Sequence, residues 1–359
     1  MAGLKQTLKL VVEQGATLSR EAARNLVTEV LSGTASESAS DLEIGALLTA
    51  LATRGETADE LTGFAEALRA LAVPLPLTDD ERAELVDTCG TGGDGRGTFN
   101  ISTGAALVAV AVGAKVAKHG NRAVTSRCGS ADVLEALGVP VGLGPEQAVE
   151  CLRATGFMFL LAPAMHPAMK RVFPVRRALG FRTIFNLAGP LTNPAGAQAQ
   201  VMGVASGAML PVVAEAMARL GVRRAFVAHG SDGLDEITVS GETSVAEVTG
   251  NRAQGTGNSV RLFRLVPEDV GLARASLAEL AGGETTAENV SVLERIFAGE
   301  IGPRRDVVLL NAAAALVAAG VAADLPNGIA RGAVAIDSGA VRKTVAELNA
   351  FRASLSSVS

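Results

Sequence analysis

A chain of 359 residues exceeds the usual single-domain length, which points to one large α/β domain with a smaller unit beside it. Hydrophobic residues make up 48% of the chain and aromatic ones only 3%, with no Trp or Tyr, so the core must be built from Ala, Val, Leu and Ile. A net charge of −5 gives no general electrostatic reason to bind nucleic acid or an anionic membrane, and any anion site has to be local.

Residues 1 to about 73 read as helices only. Ser40-Asp41-Leu42-Glu43 and Thr57-Ala58-Asp59-Glu60 have capping-box spacing, and Gly55 separates the helices they open. Behind each box runs an apolar stripe, Ile44/Leu47/Leu48/Leu51 and Leu61/Phe64/Ala65/Leu68, which gives each helix one buried face. Val73-Pro74-Leu75-Pro76-Leu77 cannot continue a helix and reads as an extended linker.

From Leu85 onward short apolar runs alternate with amphipathic segments, as in a largely parallel sheet with crossover helices. The strands expected are Leu85–Thr88, Lys115–Lys118, Phe157–Ala162, Gln200–Ala205, Ala225–Ala228 and Thr243–Val248. The helices expected are Ser102–Val112, Ser130–Leu137, Pro145–Thr155, Met209–Leu220, Glu288–Ala298, Arg305–Ala319 and Ile329–Leu355. Five prolines between Pro163 and Gly196 interrupt that alternation and suggest short helices leaving the sheet toward the N-terminal helices. The expected division is a helical domain over 1–74, with a returning excursion at about 164–197, and an α/β domain over 78–359.

Asp87 to Thr103 packs five glycines and several hydroxyls ahead of an apolar run. Glycines let successive backbone N–H groups turn toward one phosphate, and a helix starting near Ser102 adds its positive end. Gly90 to Gly95 literally satisfies G-x-G-x-x-G, the dinucleotide-binding pattern. That pattern needs a helix opening inside the glycines and an acid about 20 residues on. Here Arg96-Gly97-Thr98 prolongs the loop, and no Asp or Glu occurs from Gly95 through Ala131. A glycine-rich turn without a ligand is the simpler alternative. Thr98, Asn100, Ser102 and Thr103, however, supply more donors than one helix cap needs.

Lys118-His119-Gly120-Asn121-Arg122 and Gly129-Ser130-Ala131-Asp132-Val133-Leu134-Glu135 follow the loop. Together with the G-T-G-G-D…T-F-N-I-S-T loop, Arg182-Thr183-Ile184-Phe185-Asn186, Gly189–Pro194 and Asp232-Gly233-Leu234-Asp235-Glu236, they make the chain resemble the anthranilate phosphoribosyltransferases over nearly its whole length. The resemblance implies the nucleoside phosphorylase/phosphoribosyltransferase-like fold and Mg²⁺-dependent transfer of a phosphoribosyl group to anthranilate in tryptophan biosynthesis. It implies a phosphoribosyl-diphosphate site formed by Gly90, Gly93, Asp94, Thr98, Asn100, Ile101, Ser102, Thr103, Lys118, His119, Gly120, Asn121, Arg122, Ser126 and Ser130. It further implies anthranilate contacts from Gly90, Asn121 and Arg176, and Mg²⁺ held by Ser102, Asp235 and Glu236.

The chemistry of the ligand agrees with those residue types. A substrate with many negative charges on an acidic protein needs local cations, which Lys118 and Arg122 can provide, and hard oxygen ligands suit Mg²⁺. Pro163, His166, Met169 and Gly189 are candidates for the anthranilate approach, with Met169 standing where relatives commonly carry a Tyr. An aryl amine is neutral and already nucleophilic, so no acid–base residue is expected. His119 is the one such group near in sequence. The nearest alternative is a pyrimidine nucleoside phosphorylase of the same fold; a more distant one is a non-catalytic relative that binds a regulator or nucleic acid. Family resemblance also implies a homodimer through the N-terminal helices. Cys89, Cys128 and Cys151 are odd in number and lack metal-ligand spacing. The start of the chain has no apolar signal core, and no run of about 18 apolar residues occurs, so the expectation is a cytoplasmic enzyme with no membrane partner.

Overall fold

The computed structural model describes residues 4–32, 39–123, 128–251 and 256–356. Four helices open the described chain: α1 (Leu4–Gln14), α2 (Arg20–Ser32), α3 (Asp41–Arg54) and α4 (Ala58–Ala70). Both expected capping boxes form, Ser40 with Glu43 and Thr57 with Glu60, and Gly55 closes α3 at φ 91°. A third box, Thr78 with Glu81, opens the short α5 (Asp79–Glu84), which pattern reading overlooks because so short a helix carries no apolar stripe.

Among the described residues seven strands follow: β1 (Leu85–Gly90), β2 (Lys115–Gly120), β3 (Phe157–Leu161), β4 (Ala199–Gly203), β5 (Arg224–Gly230), β6 (Thr243–Asn251) and β7 (Thr256–Leu265). They form one sheet in the order β3-β2-β1-β4-β5-β6-β7. The pairs from β3 to β5 are parallel, and β6 and β7 are antiparallel. The intervening helices are α6 (Ile101–Ala111), α7 (Ser130–Ala136), α8 (Pro145–Thr155), α9 (Ala162–Met165), α10 (Phe173–Leu179), α11 (Ile184–Ala188) and α12 (Leu210–Arg219). After the sheet come α13 (Thr286–Phe297), α14 (Pro303–Ala319), α15 (Leu325–Asp337) and α16 (Ala340–Ser356).

Side-chain alternation along the strands separates two cores. Val201, Phe226 and Ala228 face α6, α8 and α14; Met202, Val204, Ala225 and Val227 face α12 and the N-terminal helices. The proline-rich segment runs through α9, α10 and α11. Its Val172, Val175, Ile184, Phe185 and Leu191 are buried in the same cluster as Leu47, Leu51, Phe64 and Leu68.

Two expectations are corrected. The segment expected as one helix over Ile329–Leu355 is two, α15 and α16, broken where Gly339 takes φ +79°. Ser338-Gly339 is a glycine helix stop that apolar periodicity masks. Strand β7 lies outside the expected set because Leu262 is 61% exposed, which blurs the apolar/polar alternation that identifies a half-buried strand. Among the described residues, no helix is long and apolar enough to cross a membrane.

Candidate active site at the strand ends

Strand β1 pairs with β2 on one side and β4 on the other, so the crossovers leave it in opposite directions. The crevice at the carboxyl ends of such strands is where open α/β sheets bind ligands. Gly90 and Gly203 end β1 and β4 and are register partners. A Cβ on Gly90 would lie 2.2 Å from Asp235 Oδ2, and one on Gly203 would lie 1.6 Å from the Asp235 carbonyl oxygen. The two bare strand ends therefore let the loop after β5 settle directly over the crevice.

That loop carries the acidic pair. Asp235 accepts a hydrogen bond from Gly92 N at 2.6 Å, and Glu236 Oε1 accepts from Ser102 N at 3.1 Å in the first turn of α6. The positive end of α6 thus points at a carboxylate. Burial outweighs these favourable contacts. It pushes the Asp235 carboxyl well up, with the neighbouring Glu236 charge adding to the shift, and pushes Glu236 up to about 7 despite Lys118.

Around Asp235 the glycine-rich loop runs from Gly90 to Asn100, with Gly92, Gly93, Gly95 and Gly97 all between φ +68° and +72°. L side chains rarely adopt that conformation, which turns consecutive amides outward. Arg182 donates to Gly93 O, Asp94 accepts from Arg96 N at 3.0 Å, and Gly282 N donates to Gly97 O at 2.8 Å. Thr98 bridges to Ala281, and Asn100 caps α6 only through its backbone, its Nδ2 donating to Cys128 O at 3.2 Å. Ile101 and Thr103 are buried in the first turn of α6, where Thr103 Oγ1 has no hydrogen-bond partner among the described residues.

Lys118, near the end of β2, is buried. Its ammonium donates to Thr88 O and lies 3.4 Å from Ser102 Oγ. Burial lowers its pKa, and the Asp87 and Glu236 carboxylates raise it in part. Asp87 accepts from His119 N at 3.2 Å and from Asn193 Nδ2 at 2.8 Å, and burial pushes it up to about 6. His119 faces His166 with ring centroids 5.0 Å apart, and both Nε2 atoms are buried without partners among the described residues. Burial, assisted by His166, pushes His119 down to about 3.

Gly120 and Gly129 let the described residues that flank 124–127 approach closely. Added Cβ atoms would lie 2.4 Å from Ser130 Oγ and 2.4 Å from Ala123 N respectively. Asn121 O accepts from Ser130 Oγ at 3.3 Å, and Asn121 Oδ1 accepts from Arg122 N at 2.8 Å. Ser126 lies outside the described residues. Arg122 is about half exposed and bridges Asp132 at 3.2 Å and Glu135 at 2.7 Å, so a phosphate would compete with two carboxylates for it. Arg176 stands apart on α10, its guanidinium 5.5 Å from the Phe185 ring centroid and 3.5 Å from Asn186 Oδ1. Burial lowers its pKa.

The crevice thus gathers Gly90–Thr103, Lys118, His119 and Asp235-Glu236. Sequence reading gives no site role to four contributors. Arg182 grips the glycine loop, Asp87 with Asn193 ties the end of β2 to the Pro190–Pro194 turn, and Asp232 anchors the acidic loop. Arg182 and Asn193 lie inside motifs already noted, and Asp87 is a carboxylate in an otherwise apolar strand, which is a readable signal for a partnered buried acid.

The fold and crevice agree with comparisons to known proteins. The helical bundle domain model of a glycosyl transferase family matches residues 5–72, and the α/β domain model of a glycosyl transferase family matches residues 82–342. The anthranilate phosphoribosyltransferase of Solibacter usitatus is 51% identical over 354 residues, covering 99% of this chain and 100% of the relative. The crystal structure of the Thermus thermophilus enzyme of that name superposes with TM-score 0.87 at 44% identity, over 98% of this chain and 100% of that one. The Saccharomyces cerevisiae enzyme, solved in complex with phosphoribosyl diphosphate and Mg, matches at 27% identity with TM-score 0.83 over 98% of each chain. The same yeast enzyme has also been solved with 4-fluoroanthranilate. With both domain types matched and half the residues identical over the full length of a relative, this chain belongs to the anthranilate phosphoribosyltransferase family.

Proposed function

We propose that this chain transfers the 5-phosphoribosyl group of phosphoribosyl diphosphate to the amine of anthranilate, releasing diphosphate, as a step of tryptophan biosynthesis. The observation that carries this reading is the lodging of Asp235 on two bare strand ends, Gly90 and Gly203, with Glu236 on the N-terminus of α6. Such a crevice offers outward amides for phosphate and buried carboxylates for a hard cation.

The donor set fits Mg²⁺. Asp235, Glu236 and Ser102 offer only oxygen, and both acids are held high in pKa by burial, as expected for carboxylates suited to a cation. Among the described residues no group of three or more His, Cys, Asp or Glu is placed to hold a metal ion by itself. Mg²⁺, when bound, supplies neutralisation of charge on the diphosphate.

The chain's own residues do the rest by position. Amides of the glycine-rich loop and the Lys118 ammonium face the negative leaving group as the ribose C1–O bond breaks and the C1–N bond forms. Ser130 and Asn121 shape the loop after β2, from which phosphate donors can be presented. Arg176, partly desolvated against Phe185, is the cation available to the anthranilate carboxylate. Burial pushes His119 down to about 3, so near neutral pH it is an uncharged, weakly basic imidazole, and an amine that is already nucleophilic does not require it as a base. The released amine proton passes to solvent. The yeast relative's complexes, with phosphoribosyl diphosphate and Mg and with 4-fluoroanthranilate, support the same pair of ligands.

The same reading includes a homodimer through the N-terminal helical layer, where Val12 is 63%, Leu42 83% and Phe173 47% exposed. It also includes a cytoplasmic setting, which suits three free, buried cysteines. Light scattering at micromolar concentration tests the first: a monomer mass contradicts it. Incubating purified protein with phosphoribosyl diphosphate, Mg²⁺ and anthranilate tests the reaction. Consumption of anthranilate fluorescence is expected; no product, together with phosphorolysis of uridine or thymidine, would overturn the assignment.

A further inference from the structure

From Val307 to Ala319 helix α14 is Ala, Val and Leu except for Asn311, and it is buried along most of its length against α6 and the strands, with Asn311 at 2% exposure. Asparagine is a poor helix former, and a buried amide is costly unless its donors and acceptor are satisfied. Here they are. Asn311 Oδ1 accepts from Ile237 N at 3.1 Å, and Nδ2 donates to Ile237 O at 2.8 Å and to Val307 O at 2.9 Å. One side chain therefore takes both backbone polar groups of Ile237, as a neighbouring strand would. The amide orientation is fixed by having one donor and two carbonyls around it.

Ile237 directly follows Glu236 and is itself buried. Any freedom at Ile237 moves the Asp235 and Glu236 carboxylates relative to Gly92 and Ser102, the groups that they bond. The opposite end of the loop is held by Asp232, which accepts from Leu234 N at 3.0 Å and Thr238 Oγ1 at 2.6 Å. Thus the acid pair is strung between a loop-internal anchor and an anchor belonging to a core helix 74 residues away in sequence.

We infer that Asn311 is a positioning residue for the metal-binding carboxylates, an inference that rests on the assignment of Asp235 and Glu236 to Mg²⁺. It touches neither substrate nor metal. Its function is to reference the acidic loop to α14, so that the two carboxylates meet the metal and diphosphate already aligned. Partners of this kind, one step removed from a metal, typically alter its affinity by about 10- to 100-fold when removed.

The test is calorimetric titration of phosphoribosyl diphosphate at graded Mg²⁺, with no anthranilate present, so that binding is read without turnover. Asn311→Ala and the volume-conserving Asn311→Leu are compared with Leu316→Ala, which opens a cavity in the same helix without touching the loop. Both Asn311 variants are expected to need about tenfold more Mg²⁺ for half-maximal binding, with the anthranilate KM changed less than about twofold. A shift no larger than that of Leu316→Ala overturns the inference. Asp235→Asn combined with Glu236→Gln separates the two levels. If it raises the Mg²⁺ requirement while the Asn311 variants do not, only the role of Asn311 fails; if it too changes nothing, the metal assignment fails with it.

Discussion

The glycine-rich loop from Gly90 to Asn100 and the acidic loop from Gly230 to Thr238 face the same crevice but are held in opposite ways. Around Gly92, Gly95 and Gly97 a Cβ would meet nothing within 4 Å, and the loop is tied through its backbone, Gly92 N to Asp235 and Gly93 O to Arg182. The acidic loop is gripped by Asp232 from within and Asn311 from outside, and packs onto Gly90 and Gly203. One loop is a cradle of backbone donors with room above it; the other is a fixed abutment. The difference teaches where substitutions should be tolerated. Changes that leave the cradle its backbone shape should be mild, whereas any change that shifts the abutment should be severe.

The strongest way to break the comparison is Gly203→Ala. A methyl there must displace the backbone of Asp235, so we expect a loss of about 3 kcal/mol in urea unfolding and nearly complete loss of transferase activity. A stable, active variant would show that the acidic loop is not seated on the strand ends. Next comes Asp232→Ala, which strands Leu234 N and the hydroxyls of Thr238 and Ser240. A cost of about 2 kcal/mol and a raised Mg²⁺ requirement are expected from denaturation and Mg²⁺ titration.

Beneath both loops lie His119 and Asp87, whose pH effects have opposite signs. His119 titrates near 3 when folded and near 6.5 when unfolded, so its contribution to stability is present above about 6.5 and falls as pH drops toward 3, by ~1.4 kcal/mol per unit. Asp87, raised from 3.8 to about 6, contributes below about 3.8 and loses that contribution as pH rises through 6. His119→Asn should therefore leave the Asp87 trend exposed: relative to the native chain, the variant gains stability as pH falls from 6.5 to 4.5. Parallel melting curves for the two proteins across that range would refute it. The smallest effect belongs to Gly95→Ala, in the open cradle at φ +71°. Only the left-handed conformation is penalised, at about 1 kcal/mol, and transfer should persist. A loss as large as that of Gly203→Ala would erase the distinction between the loops.

Much of this organisation is legible in the sequence because it is local. The capping boxes at Ser40 and Thr57, the six strand cores and the placing of Gly90–Thr103 and Lys118–Asn121 at strand ends follow from short-range pattern and turn chemistry. The clasp of Ile237 by Asn311, the seating of Asp235 on Gly203 and the pairing of His119 with His166 are not. Each joins residues far apart in sequence, and no propensity at either end announces the partner. Arg122 teaches the same from the other side: its type and place suggest a phosphate contact, while Asp132 and Glu135, on the helix that follows, hold its guanidinium.

The central claim is that diphosphate and metal lie between these two loops at the β1/β4 crevice. Anomalous diffraction from crystals grown with phosphoribosyl diphosphate and Mn²⁺ in place of Mg²⁺ reads that position directly. The account predicts a manganese peak within ligating distance of Asp235 or Glu236, with diphosphate density over the Gly90–Asn100 amides. A peak remote from both acids, or diphosphate bound away from that loop, would contradict it.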